Sequence, residues 1–103
     1  MRLSLIVLKS ENPESLAGFY GRLGLSIAKE QHGNGPIHYA IQLHDAVLEI
    51  YPSSAPSKTT FGLSVQDVAA FRARWLSADG RIGKNTDLLL DPDGNVLIAS
   101  PST

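Results

Sequence analysis

An apolar run closed by proline occurs twice in this chain, and that repeat constrains the fold more than any other feature. The first copy is Val47–Pro52 and the second is Val96–Pro101. Each follows a turn that contains an aspartate, Asp45 in the first case and Asp93 in the second. Self-similarity of this kind predicts two copies of one structural unit that stack on each other.

Signals for one helix precede each apolar run. Asn12 is placed as an N-cap with Pro13 at the first helical position, and Asp67 is placed as a second N-cap. Gly24 and Gly80 are placed to end the two helices. Each cap is followed by an apolar stripe at helical spacing, formed by Leu16, Phe19, Tyr20 and Leu23 in the first copy and by Val68, Phe71, Trp75 and Leu76 in the second.

Short apolar segments around each helix predict four strands per copy. They are residues 3–8, 25–30, 37–43 and 46–51, then residues 59–65, 81–84, 86–90 and 95–100. The order strand, helix, strand, strand, strand thus occurs in module one, residues 1–52, and in module two, residues 59–103, with a linker at 53–58. Because half of the chain has too small a core alone, we expect one domain over residues 1–103.

Composition excludes several classes of function. The net charge of −1 gives no electrostatic case for binding nucleic acid or an anionic membrane. The absence of cysteine excludes disulfides, zinc-thiolate sites and thiol nucleophiles. No segment approaches the roughly 20 apolar residues that span a bilayer, and the apolar N-terminal run lacks a cleavage site. We therefore expect a cytoplasmic protein with neither nucleic acid nor membrane as a partner.

Three segments resemble signatures of the vicinal oxygen chelate superfamily, which includes glyoxalase I, the bleomycin-resistance proteins and the extradiol dioxygenases. They are NPESLAGFY at 12–20 with LGL at 23–25, VQDV at 65–68, and DPDGN at 91–95. The resemblance implies an α+β fold in which two βαβββ modules form an open, cupped mixed β-sheet with helices outside. It also implies a homodimer, because small members usually build pocket walls from two chains.

The resemblance further implies where a metal would be held. Superfamily enzymes take ligands from the first and last strands of each module, and these positions fall on Leu5, Glu49, Thr60 and Ile98. Leucine and isoleucine cannot coordinate, and a neutral hydroxyl is a poor ligand. One carboxylate does not hold a catalytic metal, since such sites need about three protein ligands. We therefore predict no metal, no cofactor and no catalytic residue at these positions.

Strand alternation selects the candidate binding residues. A tight turn at His44-Asp45 would place His38 and Gln42 on the same face as Glu49, whereas a longer turn would exchange the two faces. The predicted ligand-binding set on the concave side is Glu49, Tyr51, His38, Gln42, Leu5, Val7, Thr60 and Ile98.

Each candidate also has a plainer interpretation. Glu49 is either a polar anchor or general base, or a relic carboxylate bonded to His38, Tyr51 or water. His32 and His44 fall in loops, where solvent exposure is expected, and a metal held by His38 and Glu49 in a new way is an alternative. The pair Lys29-Glu30 is interpreted as a solvated face.

Three functions are consistent with these residues. The leading hypothesis is a metal-independent small-molecule binding protein that holds an organic ligand in an apolar cleft with Glu49 as polar anchor. The alternative is a metal-dependent lyase, isomerase or dioxygenase that holds a divalent metal with Glu49 and a non-standard ligand set. The third is a structural or regulatory module whose pocket is filled.

Overall fold

The structure, a computed structural model, describes residues 1–84 and 87–102. The chain divides into two compact units, Met1–Ser57 and Lys58–Thr103. Each unit runs strand, helix, strand, strand, strand, as the sequence repeat predicted. The described residues form two helices and two four-stranded mixed sheets, so the fold class is α+β with two βαβββ modules.

The first unit consists of β1 (Leu5–Ser10), α1 (Pro13–Arg22), β2 (Ile27–Glu30), β3 (His38–Gln42) and β4 (Val47–Pro52). Its strands lie in the order β1-β4-β3-β2. Strand β1 is parallel to β4, and the other neighbouring pairs are antiparallel. The last strand in the chain order of this unit therefore lies inside the sheet.

Helix α1 begins as the sequence predicted. The Asn12 side-chain oxygen accepts a hydrogen bond from the Ser15 N–H at 3.3 Å, and Pro13 occupies the first turn. After the helix, Gly24 takes a left-handed backbone with φ 92°, which glycine adopts without steric cost. The helix packs on β1, β3 and β4. The side chains buried between helix and sheet are Leu8, Leu16, Ala17, Phe19, Tyr20, Ile41, Leu48 and Ile50.

The hairpin between β3 and β4 has the tight turn that the sequence left open. The Leu43 N–H donates to the Ala46 carbonyl oxygen at 2.9 Å, which closes the turn at His44-Asp45. In this register Ala40 pairs with Glu49. The face assignment that places Glu49 away from the helix is therefore confirmed.

The second unit consists of β5 (Thr60–Val65), α2 (Val68–Ser77), β6 (Arg81–Ile82), β7 (Leu89–Leu90) and β8 (Val96–Pro101). Its strand order, β5-β8-β7-β6, repeats that of the first unit, with β5 parallel to β8. Strands β6 and β7 are shorter than predicted, because their pairing covers two residues on each strand. The predicted start of β7 at residue 86 lies outside the described residues.

Helix α2 is capped by Asp67, whose carboxylate accepts from the Ala70 N–H at 3.0 Å. At its other end Asp79, with φ 76°, takes the left-handed position, and Gly80 follows. The Gly80 N–H donates to the Trp75 carbonyl oxygen at 2.9 Å, and the Asp79 N–H donates to that of Leu76 at 3.1 Å. This pair of bonds is a Schellman motif, which supplies hydrogen-bond donors to carbonyl groups that have no intrahelical partner at the helix end.

The turn before β8 contains a buried polar network. Asp91 and Asn95 are 0% and 1% exposed. One Asp91 carboxylate oxygen accepts from the N–H groups of Asp93 and Asn95, and the other accepts from the Asn95 side-chain amide, all at 2.9 Å. The Asn95 side-chain oxygen accepts from the Thr59 N–H at 2.9 Å, which ties this turn to the start of β5.

No helix among the described residues has the length and apolarity needed to cross a membrane.

Candidate functional site

A cavity of about 510 Å³ lies against the sheet of the first unit. Glu49 and Ala40 line it, whereas their strand neighbours Leu48 and Ile41 are buried toward α1, so the cavity lies on the helix-free face. All of its lining residues belong to the first unit, namely Ser4, Leu5, Ser26, Ile27, Ala28, Glu30, His32, Ala40, Gln42, Val47 and Glu49.

Three of the predicted binding residues line this cavity, namely Leu5, Gln42 and Glu49. The Glu49 side chain is 18% exposed, so its carboxylate is largely withdrawn from water yet reachable from the cavity. The Gln42 side-chain amide donates to the Leu43 carbonyl oxygen at 2.7 Å, which braces the hairpin turn. The structure therefore places the main predicted anchor on a cavity wall.

The other predicted residues of the first unit surround Glu49 without lining the cavity. Val7 pairs with Glu49 across the parallel strands and is 40% exposed. The rings of His38 and Tyr51 stack with centroids 4.2 Å apart, and the His38 Nε2 lies 3.6 Å from a Glu49 carboxylate oxygen.

Two predicted binding residues belong to the second unit. Thr60 on β5 and Ile98 on β8 are both exposed, whereas Phe61 and Leu97 beside them are buried. The side-chain alternation is therefore as predicted, and the binding role of Thr60 and Ile98 stays a prediction.

His38 is the most unusual side chain of the site. It is 1% exposed, and its Nδ1 lies 3.2 Å from the Pro36 carbonyl oxygen. Because a carbonyl oxygen only accepts, we assign a ring proton to Nδ1, and in the neutral ring this leaves a lone pair on Nε2. The Nε2 has no hydrogen-bond partner among the described residues, although Glu30 Oε1 lies 3.3 Å away and Glu49 Oε2 3.6 Å away. In the neutral ring, a buried acceptor atom therefore faces two carboxylates.

Glu30 is a site residue that sequence reasoning missed. The sequence predicts a solvated face at this position, but the Glu30 side chain is only 38% exposed and its Oε1 lies 3.3 Å from His38 Nε2. The cause is the strand register, because Glu30 and His38 form the last pair between β2 and β3. A signal was present in the sequence, since a hairpin closed around the glycine-containing residues 31–37 brings these two positions opposite each other.

His32 completes the group from the loop between β2 and β3. Its side chain is 76% exposed, as expected from its loop position. Its Nε2 nevertheless lies 4.0 Å from Glu30 Oε1, and its ring centroid lies 5.1 Å from that of His38. One donor atom from each of Glu30, His32 and His38 therefore falls within 4.8 Å of the others.

The two carboxylates also act on Tyr51. Its pKa is raised above the ordinary value of 10.0, first by burial and then by the negative charges of Glu49 and Glu30. The phenol therefore keeps its proton, and it remains a hydrogen-bond donor at neutral pH. The site as a whole offers carboxylates, imidazoles and a phenol beside an apolar wall, which suits a ligand that brings hydrogen-bond donors or positive charge.

Comparison with known proteins gives matches of structure and none of sequence. No protein-family model matches the chain, and no curated protein matches it. The bleomycin resistance determinant encoded on the transposon Tn5 is 22% identical with a TM-score of 0.73, and the match covers 100% of both chains. TioX from Micromonospora sp. ML1 is 15% identical with a TM-score of 0.78, again over 100% of both chains. The oxidase ChaP-H2 is 15% identical with a TM-score of 0.76, over 100% of this chain and 94% of that one. At these identities the likeness is one of fold.

Proposed function

We propose that this chain, whose fold is that of the vicinal oxygen chelate proteins, binds a small organic molecule in the cavity of its first unit. The observation that carries the proposal is the cavity itself, at about 510 Å³. Ligand pockets typically occupy roughly 300 to 1,000 Å³ and combine an apolar wall with a few polar groups. Leu5, Ile27 and Val47 supply apolar wall here, and Glu49 supplies a polar group.

Glu49 is the polar anchor in this proposal. Its carboxylate accepts hydrogen bonds and donates none when ionised, so it selects ligands with a hydroxyl, amide N–H or ammonium group. The partial burial of its side chain supports this role, because a hydrogen bond to a charged acceptor is stronger where water is scarce. Stacking between the rings of Tyr51 and His38 fixes both side chains beside Glu49.

The organic ligand needs no metal at the four superfamily positions in this proposal. Leu5 and Ile98 carry no donor atom, and a neutral threonine hydroxyl at position 60 is a weak ligand. The name of the Tn5 neighbour, a bleomycin resistance determinant, supports binding of an organic molecule. The net charge of −1 argues against a strongly cationic drug as the ligand here. The cytoplasmic location and the homodimer stay predictions.

A thermal-shift screen with a diverse library of organic compounds tests the proposal. We expect binders that raise the melting temperature, and we expect Glu49→Gln to weaken them about tenfold or more, because it removes a hydrogen bond to a charged group. The matched control is Glu14→Gln, which removes the same charge from an exposed position on α1 and should leave affinity unchanged.

One result would count against the binding function, and another would count only against Glu49 as the anchor. A library that never shifts the melt would favour the structural module with a filled pocket. Binders that keep their affinity in Glu49→Gln would refute Glu49 as the anchor while leaving the binding function in place.

A further inference from the structure

We propose that Glu30, His32, His38 and Glu49 form a binding site for one divalent transition-metal ion in the wall of the first-unit cavity. The site goes beyond the proposed binding of an organic molecule. It shares only Glu49 with the four superfamily positions, because Glu30, His32 and His38 come from β2, the following loop and β3. The metal and the organic ligand are therefore separate claims with separate tests.

His38 contains a buried ring nitrogen without a hydrogen-bond partner in the part of the chain that the structure describes. His38 is 1% exposed, and its Nε2 has no hydrogen-bond partner among the described residues. In the neutral ring, with the proton on Nδ1 facing the Pro36 carbonyl oxygen, the Nε2 lone pair faces the carboxylates of Glu30 and Glu49. A buried acceptor beside two anions is costly without a positive centre between them. A metal ion is such a centre, because it accepts an electron pair from each of these groups.

The distances between the donor atoms are close to those in a tetrahedral metal site. Bonds of about 2.0 to 2.1 Å in tetrahedral geometry place ligand atoms about 3.4 Å apart. His38 Nε2 lies 3.3 Å from Glu30 Oε1 and 3.6 Å from Glu49 Oε2. His32 Nε2 lies 4.0 Å from Glu30 Oε1. Because the His32 side chain is 76% exposed, rotation of this loop residue can close the remaining gap.

The cavity gives an ion access to these residues, and the His38 ring is held in a fixed orientation. Glu30, His32 and Glu49 line the cavity, so an ion can reach the group from that side. His38 lies behind them, and its ring is held by the Pro36 carbonyl on one side and by stacking on Tyr51. A carbonyl that receives the second ring N–H is the usual support of a metal-binding histidine.

The donor set indicates the class of metal. Two imidazoles with two carboxylates suit zinc, iron, nickel or cobalt as divalent ions, whereas magnesium and calcium prefer all-oxygen sites. The other candidates for the space are a proton on His38 and the ammonium group of an organic ligand. If a proton or an ammonium group occupies the space, titration with a metal ion will show no binding of defined stoichiometry.

Calorimetric titration of the chelator-treated full chain with Zn²⁺ tests the proposal, and Co²⁺ absorbance in the visible range reports coordination geometry. We expect one equivalent bound and a tetrahedral Co²⁺ spectrum. We expect His32→Ala, Glu30→Gln and His38→Gln each to weaken Zn²⁺ binding by roughly tenfold or more. The matched control is His44→Ala, because this histidine is 97% exposed and lies 3.8 Å from a neighbouring carboxylate on Asp45. It should bind Zn²⁺ as the wild type does.

His38 is buried, so its variant risks misfolding, and His32→Ala on the exposed loop keeps the test decisive. Failure of the wild type to bind Zn²⁺ or Co²⁺ with a defined stoichiometry would overturn the proposal and favour a proton or an ammonium group. Unchanged binding in both His32→Ala and Glu30→Gln would overturn it as well. Organic binders found on metal-free protein would leave the proposed function standing if the metal site fails. Zn²⁺ binding without any organic binder would support the metal site and count against the proposed binding of an organic molecule.

Discussion

At the scale of single residues, Tyr51 makes the negative charge of the site measurable. Its pKa is raised above 10.0, first by burial and then by Glu49 and Glu30. The native state thus holds the phenolic proton to higher pH than the unfolded chain does. The stability linked to this proton is fully present below pH about 10 and is lost as pH rises through the folded pKa.

We therefore expect Tyr51→Phe to lose stability less steeply than the wild type above pH about 10. Urea denaturation at a series of alkaline pH values measures this slope. In the otherwise intact protein, Glu49→Gln should lower the Tyr51 pKa toward 10.0, because it removes the larger of the two charge effects. An alkaline slope that is identical in Tyr51→Phe and the wild type would contradict the prediction.

Gly80 is a second residue whose identity has a local cause. A Cβ at this position would fall inside the contact distance of the Trp75 indole and 2.8 Å from the Trp75 carbonyl oxygen. Because Trp75 is fully buried, the ring has little room to move away. We expect Gly80→Ala to lower the free energy of unfolding by about 1 to 3 kcal/mol.

The control for Gly80→Ala is Gly18→Ala in the middle of α1. A Cβ there meets its nearest atom, on Arg22, at an ordinary 3.6 Å. Alanine costs less backbone entropy than glycine in a helix, so this variant should be stabilised by about 0.5 to 1 kcal/mol. Urea denaturation of both variants compares the signs directly, and equal effects would refute the steric explanation for Gly80.

At the scale of elements, the turn between β7 and β8 does more than reverse the chain. Asp91 and Asn95 bond to each other, and Asn95 also bonds to the Thr59 N–H at the start of β5. We expect Asn95→Ala to cost about 2 to 4 kcal/mol, because it removes the buried hydrogen bond from the Asn95 amide to the Asp91 carboxylate and the acceptor of the Thr59 N–H. Thermal and urea denaturation measure the loss.

The exposed aspartate of the corresponding turn in the first unit serves as control. Asp45 is 64% exposed at its side chain, so Asp45→Ala should stay within about 0.5 kcal/mol of the wild type. A cost at Asp45 equal to that at Asn95 would show that turn composition alone, and not the buried network, sets the stability.

Local sequence rules account for several of these elements. The helix caps at Asn12 and Asp67 and the tight turn at His44-Asp45 follow local rules, and the structure has all of them. The pairing of Glu30 with His38 was missed because it depends on how a long loop closes. The sequence predicts a turn at residues 91–95 but not the hydrogen bonds within it, because tertiary packing decides that the Asp91 and Asn95 side chains are buried.

At the scale of the whole molecule, the fold was predictable and the chemistry was not. The repeat and its signatures predicted paired βαβββ modules, and the solved structures with the same fold confirm this architecture. Those structures include a resistance determinant and an oxidase, so the fold alone does not select a function. The proposed metal site depends on side chains such as Glu30 and His38, whose grouping follows from the strand register.

Association of the chain is the prediction that belongs to this scale. Leu5 and Val7 are 46% and 40% exposed on the helix-free face of the first sheet. An exposed apolar face of this kind is typical of an interaction surface. We expect light scattering coupled to size exclusion to give twice the chain mass of 11.1 kDa. We also expect Val7→Lys to shift the protein toward the monomer.

The control for this experiment is Glu14→Lys, which changes a charge at an exposed position on α1, away from the helix-free face that carries Leu5 and Val7. It should leave the mass unchanged. A wild type that elutes with the mass of one chain at micromolar concentration would contradict the predicted homodimer.

The strand order described above has a consequence for the order of synthesis. β4 and β8 are the last strands of their units to be made, yet each lies between two strands made earlier. A nascent chain arrested before residue 96 would therefore carry a completed first sheet and a second one split down its middle. Once such a chain left the ribosome, β5 and β7 would be two separated edges without the strand that pairs with both, and unpaired edges of this kind are sites of aggregation.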